Sequence, residues 1–394
     1  MSILFISSFV PDLPKYRNNA FTRSGNNVAL GIIKGLKSDN NVTFLSFRPI
    51  PSFPNGPIWI GGETISLESG EIIKILPTLN IKIIKNIVCN IIAVFSILKW
   101  AYKERKSTRN ILVYNIYVPA ISSLYKVSRI TKSKLFAILY DLGIPPKRLG
   151  LGKLTMLAYK IAEKKAKKYI PKLDGRIVIN EKIIDYYAPT ADYILIDGGI
   201  NEQIISNLSN LKKSKNKYLK FVLAGMLWDQ NGTKLVLDTL KQNPDLEIEI
   251  YFAGQGIDVP LIEEHSKQDK RIKYLGLLNM EDLFNLYNDA DVLLNLRIEE
   301  EEDFHFPSKL LEYMVTGKQV ISTPIAHAEK IYGEYLNILH DITSEGLANV
   351  IKQLINTSRE ELLKKGIQTR NFMLTERNWD IQTKRIENYM QSKH

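Results

Sequence analysis

Residues 306 to 324 read FPSKLLEYMVTGKQVISTP. Pro307 suits the first position of a helix, where a missing N–H costs nothing. Gly317 follows that helix, and QVISTP reads as the next strand. With Pro307 leading, the free backbone N–H groups of Ser308, Lys309 and Leu310 point outward along the positive end of the helix dipole, which makes a ready site for a diphosphate. Lys309 adds a mobile positive charge. Glu312, about one turn later on the same face, can accept paired hydrogen bonds from vicinal ribose hydroxyls. A capped surface helix with solvated Lys309 and Glu312 is the plainer reading, and the surrounding order of strand, turn, helix, glycine and strand argues against it.

The same beat continues on both sides. From about residue 219 strand-like runs alternate with helix-like segments: LKFVLAGML, 232 to 243, IEIYFAGQG, 258 to 268, IKYLG, 280 to 288, ADVLLNLR, the helix from 307, QVISTP, a short helix and NILH. Repeated βα units of this length predict a parallel sheet covered by helices on both faces. The first half carries the pattern less cleanly in ILFISSFV, a helix from about 25 to 37, NVTFLSF, a long helix from about 81 to 104, NILVYNI, KLFAILYDL, GRIVIN and YILID. The polar, lysine-rich SNLSNLKKSKNK between the halves reads as a linker. The expected class is therefore α/β, with two Rossmann-like doubly wound domains facing across a cleft. Their expected bounds are 1–205, a linker 206–217, and 218–375. A terminal helix, 376–394, is expected to pack back on the first domain.

At 394 residues and 45% hydrophobic composition the chain can bury two ordinary cores, which excludes disorder as its main state. A lone Cys89 excludes a disulfide framework and a cysteine-rich metal site, and fits a reducing compartment. The opening MSILFISSFV lacks a basic n-region and reads as a first strand rather than a signal peptide, so a cytoplasmic location is expected. Residues 1 to 215 hold 32 Lys and Arg against 14 Asp and Glu, whereas the remainder holds 21 against 28. Only the first half is thus suited to a polyanion.

Phe306 to Pro324 resembles the donor-binding segment of the retaining glycosyltransferases of family four, which have the GT-B fold. In that family a glutamate early in the helix grips the donor's ribose and a Gly-Lys-Pro-Val-Ile-like run starts the next strand; here Pro307, Glu312, Gly317, Lys318, Gln319, Val320 and Ile321 stand in that order. LAGMLWDQNG (223 to 232), with Gly225, is similar to the first strand and glycine turn of the family's donor domain, and YFAGQG (251 to 256) to its second strand. Gly276, DLFNLYNDADVLL and the loop after Asn295 follow in sequence. Asp197-Gly198-Gly199-Ile200-Asn201 is similar to the turn that ends the acceptor domain. The resemblance implies sugar transfer, with retention, from a nucleotide-sugar donor carrying UDP or GDP. The implied acceptor is a membrane-associated, polyprenyl-diphosphate-linked glycan of bacterial surface-polysaccharide synthesis. Two departures stand out. The family's first glutamate is replaced by Phe304, and Met226 and Asn231 stand where a basic pair is common. Diphosphate charge then falls to Lys309, the helix terminus and Arg297.

Further candidates lie in loops. Gly25 opens the first helix and lets backbone amides approach phosphates, with Arg17 and Arg23 near in sequence. Asp141, ending KLFAILYDL, is the acceptor-domain carboxylate best suited to orient or deprotonate a hydroxyl, although a helix cap or turn residue reads the same way. His305, directly before the donor helix, is the second candidate. Asp289-Ala290-Asp291 has the form of a metal-binding Asp-x-Asp but sits where a helix ends and a strand begins, which favours capping, and no essential metal or other cofactor is expected.

Two basic helices mark the first half. IKIIKNIVCNIIAVFSILKWAYKERK (81 to 106) has an uncharged run only from Asn86 to Leu98, short of a membrane span, and its flanking lysines with Trp100 suit an anionic membrane interface as well as a buried helix. YKIAEKKAKKYIPK (159 to 172) adds Lys160, Lys164, Lys167 and Lys168. The expected location is therefore peripheral, on the inner face of the cell membrane. Nucleic acid as a partner would need a recognition helix, stacking platform or zinc module, and none is legible. Two alternatives stay open: a nucleotide-sugar epimerase of the same fold, and a non-catalytic sugar-nucleotide-binding subunit of another transferase.

Overall fold

The computed structural model describes residues 1–11, 16, 23–36, 41–82, 84–140, 153–211, 216–298, 304 and 306–394. The chain forms two compact units: Met1–Gly199 joined by Trp379–His394, and Ile200–Asn378. The division falls at Gly199 rather than in the lysine-rich segment, because Ile200 is tied to the end of the second unit by its N–H bond to the Arg377 carbonyl, 2.7 Å.

The first unit runs β1 (Ser2–Ser7), α1 (Arg23–Gly35), β2 (Asn41–Phe47), β3 (Trp59–Ile60), β4 (Glu63–Ser66), β5 (Ile72–Leu76), β6 (Thr78–Leu79), α2 (Ile84–Lys103), β7 (Arg109–Tyr114), α3 (Ile121–Ile130), β8 (Lys134–Leu139), α4 (Lys153–Tyr169), β9 (Gly175–Val178), α5 (Lys182–Tyr187) and β10 (Ile194–Leu195). Its main sheet has the order β10-β9-β8-β7-β1-β2-β5-β4, parallel except for the β4–β5 pair at one edge. The central strands are buried on both faces: β1 is buried at every position, as are the last five residues of β7 and of β8. Continuous apolar runs such as ILFI and ILVY follow from that burial, since a covered parallel sheet leaves no face for alternating polar residues.

The second unit runs α6 (Glu202–Ser206), β11 (Leu219–Met226), α7 (Thr233–Gln242), β12 (Ile248–Gln255), α8 (Val259–Gln268), β13 (Ile272–Tyr274), α9 (Met280–Asp289), β14 (Val292–Asn295), α10 (Ser308–Val315), β15 (Gln319–Ser322), α11 (Ala328–Tyr332), β16 (Asn337–Ile338), α12 (Ser344–Asn356) and α13 (Arg359–Glu376). Six parallel strands lie in the order β13-β12-β11-β14-β15-β16. That is the doubly wound 3-2-1-4-5-6 arrangement, in which chain progression reverses between the first and fourth strands. Side-chain caps start several helices: Asn279 accepts from the Asp282 N–H at 2.9 Å, Thr343 from Gly346 at 3.1 Å and Ser358 from Glu361 at 3.2 Å.

The last helix, α14 (Trp379–Gln391), belongs to the first unit. Trp379, Ile386, Tyr389 and Met390 join the core built from Phe5, Ile32, Ile33 and Phe136. The Tyr389 hydroxyl donates to Asp192 Oδ2 at 3.0 Å, so the helix is held by polar as well as apolar contacts.

Candidate functional site

Strand-order reversal leaves a crevice beyond the carboxyl ends of β11 and β14, because the loops leaving these two strands run in opposite directions over the sheet. A pocket of about 360 Å³ occupies that place, lined by Ala224 and Met226 from β11, Asn295 at the end of β14 and Arg297 after it, and Pro307, Ser308 and Lys309 at the start of α10. Each strand delivers its residue by register: Phe221 pairs with Val292 and Asn295 with Ser322, which aligns the ends of β11, β14 and β15.

Glycines let the strand ends crowd together. Gly225 and Gly254 are partners across β11 and β12, both at positive φ, 119° and 139°. A Cβ on Gly254 would stand 1.9 Å from the Gly225 carbonyl oxygen, and one on Gly225 would stand 1.8 Å from Lys309 Nζ. The lysine therefore fills the volume that a side chain would take. Its ammonium donates to the Ala224 carbonyl at 2.8 Å, and the Tyr313 hydroxyl donates to the same oxygen at 3.3 Å.

Burial sets the electrostatics. Desolvation lowers the Lys309 ammonium below the usual lysine range, an effect that the nearby Glu312 charge opposes. Desolvation likewise raises the Glu312 carboxyl, which Lys309 opposes. Tyr287 and Tyr313, whose rings meet edge to face at 5.2 Å, are both pushed up by burial. Glu312 makes no hydrogen bond among the described residues, and the Lys309 ammonium is turned to the Ala224 carbonyl. A half-buried carboxylate without a partner costs free energy that a hydroxyl-bearing ligand would recover.

The remaining wall is held from outside. Thr323 ties the loop after β14 by accepting from the Arg297 N–H at 3.1 Å and donating to the Arg297 carbonyl at 2.6 Å. Asn295 donates to Ser322 Oγ at 2.9 Å. Phe306 stacks on His327 with centroids 4.6 Å apart and planes 7° apart, which anchors the residue just before Pro307.

Residues 218–357 match the family described as Glycosyl transferases group 1. The second unit carries a group 1 glycosyltransferase domain. The match covers the second unit from β11 through α12, the part that carries the pocket. No curated protein matches the chain in sequence. Solved structures resemble it along its whole length. Sucrose-phosphate synthase from Thermosynechococcus elongatus is 14% identical with a TM-score of 0.65, the match covering 100% of this chain and 99% of that one. Anabaena Alr3699/HepE in complex with UDP is 15% identical with a TM-score of 0.61, with full coverage of both chains. The lipopolysaccharide outer core galactosyltransferase WaaB is 14% identical with a TM-score of 0.62, again with full coverage of both. At such identities the likeness is one of fold, and the fold is GT-B.

Within this domain, Arg297, Pro307, Ser308 and Lys309 line one pocket, Gly225 stands between its lining residues Ala224 and Met226, and Glu312 is on the next turn of α10. Three readings from sequence need correction. Pro307 is the cap of α10 rather than its first helical residue, with φ −72° and ψ 98°. The Leu310 amide is not free: it bonds to the Pro307 carbonyl at 2.8 Å, and the Leu310 side chain is fully buried in the core. Lys309 is less mobile than a surface lysine, being held to Ala224. Gly25 lies in the first turn of α1, in the first unit, beside Asn26, whose amide clamps Val10 through bonds of 3.1 and 2.8 Å. Asp141, His305, Arg17 and the acidic run 299 to 303 lie outside the described residues. Asp289 and Asp291 sit at the opposite end of β14 from the pocket, where Asp291 Oδ2 accepts from the Lys220 N–H at 2.9 Å and from Asn216 at 3.1 Å.

Sequence reasoning missed Tyr313, Asn295 and Thr323. Asn295 had a signal, a polar residue ending a buried strand. Tyr313 and Thr323 had none, since each acts on backbone distant in sequence.

Proposed function

We propose that the enzyme transfers a sugar from a nucleotide-sugar donor, carrying UDP or GDP, to a membrane-associated, polyprenyl-diphosphate-linked glycan in bacterial surface-polysaccharide synthesis, with retention at the anomeric carbon. The observation that carries the donor half is the pocket at the strand-order reversal of the group 1 domain, with a helix N-terminus, a half-buried lysine and an unpartnered half-buried glutamate on one helix. The Anabaena neighbour, described in complex with UDP, supports the same assignment. The acceptor half rests on the basic first half of the chain and on the neighbour described as a lipopolysaccharide outer core galactosyltransferase.

In this reaction the bond between the anomeric carbon and the diphosphate oxygen breaks, and a bond from the acceptor hydroxyl oxygen to that carbon forms. The departing diphosphate gains negative charge, which the N-terminus of α10 and Lys309 are placed to stabilise without reorganising. Glu312 would accept from the ribose hydroxyls. Asp141 is the proposed residue that orients or deprotonates the acceptor, with His305 as the other candidate. No metal ion is proposed to take part. The enzyme acts at the inner face of the cell membrane.

Calorimetry with a panel of UDP- and GDP-sugars tests this directly. One nucleotide class should bind, and Glu312→Ala and Lys309→Ala should each weaken it by at least about tenfold. Absence of binding to every member, or indifference to both substitutions, overturns the donor site. Incubation of labelled donor with membrane lipid extract then separates transfer to lipid from isomerised sugar and from binding alone.

A further inference from the structure

Helix α2 has two apolar faces, and the fold uses only one. Cys89, Ala93, Ile97, Trp100 and Ala101 are buried against the first unit. Ile84, Ile87, Ile91, Phe95, Leu98 and Tyr102 are exposed, Phe95 at 67% and Tyr102 at 72%. At about 100° per residue the exposed six fall within an arc of about 80°, opposite the buried five. An uninterrupted stripe of this kind, running the length of a 20-residue helix, is not the scattered apolar exposure of an ordinary surface.

The neighbouring helix extends the stripe. Met156, Leu157 and Ile161 at the start of α4 are exposed, Leu157 at 55%. A groove of about 270 Å³ lies between the two helices, with Ile87 and Asn90 on one wall, Ala158 and Ile161 on the other, and Ile116 and Ile121 among its lining residues. Cations border the apolar area. Lys99 and Lys103 lie exposed along one flank of the α2 stripe, and Lys160, Lys164 and Lys168 continue the exposed face of α4.

α2 is long and apolar enough to cross a membrane by length and composition. The helix runs Ile84–Lys103, within the 81 to 104 expected from sequence, and extends past the uncharged run Asn86 to Leu98 at both ends. Crossing is nonetheless incompatible with its packing. One face is committed to protein, Asn90 Oδ1 accepts from the Ala120 N–H at 2.7 Å, and Lys85 Nζ donates to the Ile50 carbonyl at 2.6 Å. A helix surrounded by lipid would lose all of these.

We infer that the α2–α4 face docks on an anionic lipid bilayer, with α2 lying in the plane of the interface, its Ile91 and Phe95 side chains among the acyl chains and its lysine flank at the headgroups. The occupant follows from the paired chemistry of the surface. An apolar stripe bordered by lysines matches an acyl layer beneath anionic headgroups, whereas a protein partner would leave the outward lysines of α4 unused. The inference rests on the proposed reaction only in that a lipid-linked acceptor would give the docking a purpose.

Vesicle flotation with the full chain tests it. Wild type should float with vesicles of phosphatidylcholine and phosphatidylglycerol, float less with phosphatidylcholine alone, and be released in part by high salt. The exposed-site variant Ile91→Ser/Phe95→Ser should lose at least about tenfold in partitioning while binding nucleotide as wild type does. Lys99→Glu/Lys103→Glu should lose the preference for the anionic vesicles. Equal flotation of wild type and both variants, or no flotation of wild type, overturns the inference. So does a membrane fraction that resists alkaline carbonate, since that marks a spanning helix. Because nucleotide binding is measured on the same variants, loss of flotation with normal binding concerns the membrane face, and loss of nucleotide binding in wild type concerns the donor site.

Discussion

Lys309 and Gly225 share one volume: the lysine ammonium stands 1.8 Å from where a Cβ on Gly225 would be, and it is held there by the Ala224 carbonyl at 2.8 Å. A methyl group at 225 meets both the ammonium and a backbone at φ 119°, a conformation that side chains disfavour. We expect Gly225→Ala to fold but to lose about 1–3 kcal/mol by denaturant titration, from backbone strain and the displaced lysine. Nucleotide affinity should fall with it, by at least about tenfold in calorimetry. Loss of stability with unchanged affinity would make the lysine a purely structural residue.

Glu312 and Lys309 give stability a pH dependence of defined sign. The Glu312 carboxyl is raised in the fold, so between the ordinary glutamate range and its folded value the native state holds more protons than the unfolded chain. Stability contributed by that proton is present below the ordinary range and lost as pH rises through the folded value. The Lys309 ammonium is lowered, so between its folded value and the ordinary lysine range the unfolded chain holds more protons and stability rises with pH. Both charges are thus burdens on the ligand-free enzyme near neutrality. Glu312→Gln should leave thermal stability at pH 7 equal or higher, flatten its decline just above the glutamate range, and weaken nucleotide binding. A clear drop in Tm at pH 7 would refute this.

How much of this was legible depended on whether the cause was local. The second unit could be read because βα units announce themselves in every twenty to thirty residues, and FPSKLLEYMVTGKQVISTP contains cap, helix, glycine and strand in sequence. The division at Gly199 was not legible, because the five-residue α6 is too short to show a period and Ile200 is claimed by Arg377 from the far end of the unit. The edge pair β4–β5 was missed for a related reason: its strands are half exposed and short, so no continuous apolar run marks them. Lys309 is a site candidate from sequence, but its anchor is a backbone carbonyl 85 positions away, which no pattern of side chains reveals.

Gly31 governs the attachment of α14. A Cβ there would come within 2.2 Å of the Trp379 ring, and the ring, only 6% exposed, has no free space to retreat into. Gly31→Ala should therefore destabilise the first unit by about 1–3 kcal/mol, as overpacking in a filled core does. Trp379 fluorescence and hydrogen exchange in 379 to 391 should report early loosening of α14. Gly70→Ala is a contrasting control for space: no atom lies within 4 Å of its Cβ position, so any effect there comes from its φ of 95° alone. Equal hydrogen exchange of α14 in wild type and Gly31→Ala would show that the tryptophan adapts.

Asp289 and Asp291 allow the Asp-x-Asp signature to be tested against the fold. Asp291 holds the first residues of β11 by accepting from the Lys220 N–H and from Asn216, and Asp289 pairs with the Lys220 ammonium. These contacts lie at the amino end of β14, whereas Asn295 and Arg297, at its other end, line the pocket. If the pair served a metal, Asp291→Ala would abolish transfer while sparing stability, and chelation would mimic it. If the pair caps the strand, Asp291→Ala should cost about 1–3 kcal/mol in stability by leaving a backbone donor without its acceptor. Sugar transfer by the folded fraction should then persist, unaffected by chelator or by added magnesium or manganese. We expect the second pattern, read by denaturant titration alongside a radiolabelled transfer assay in the presence and absence of chelator.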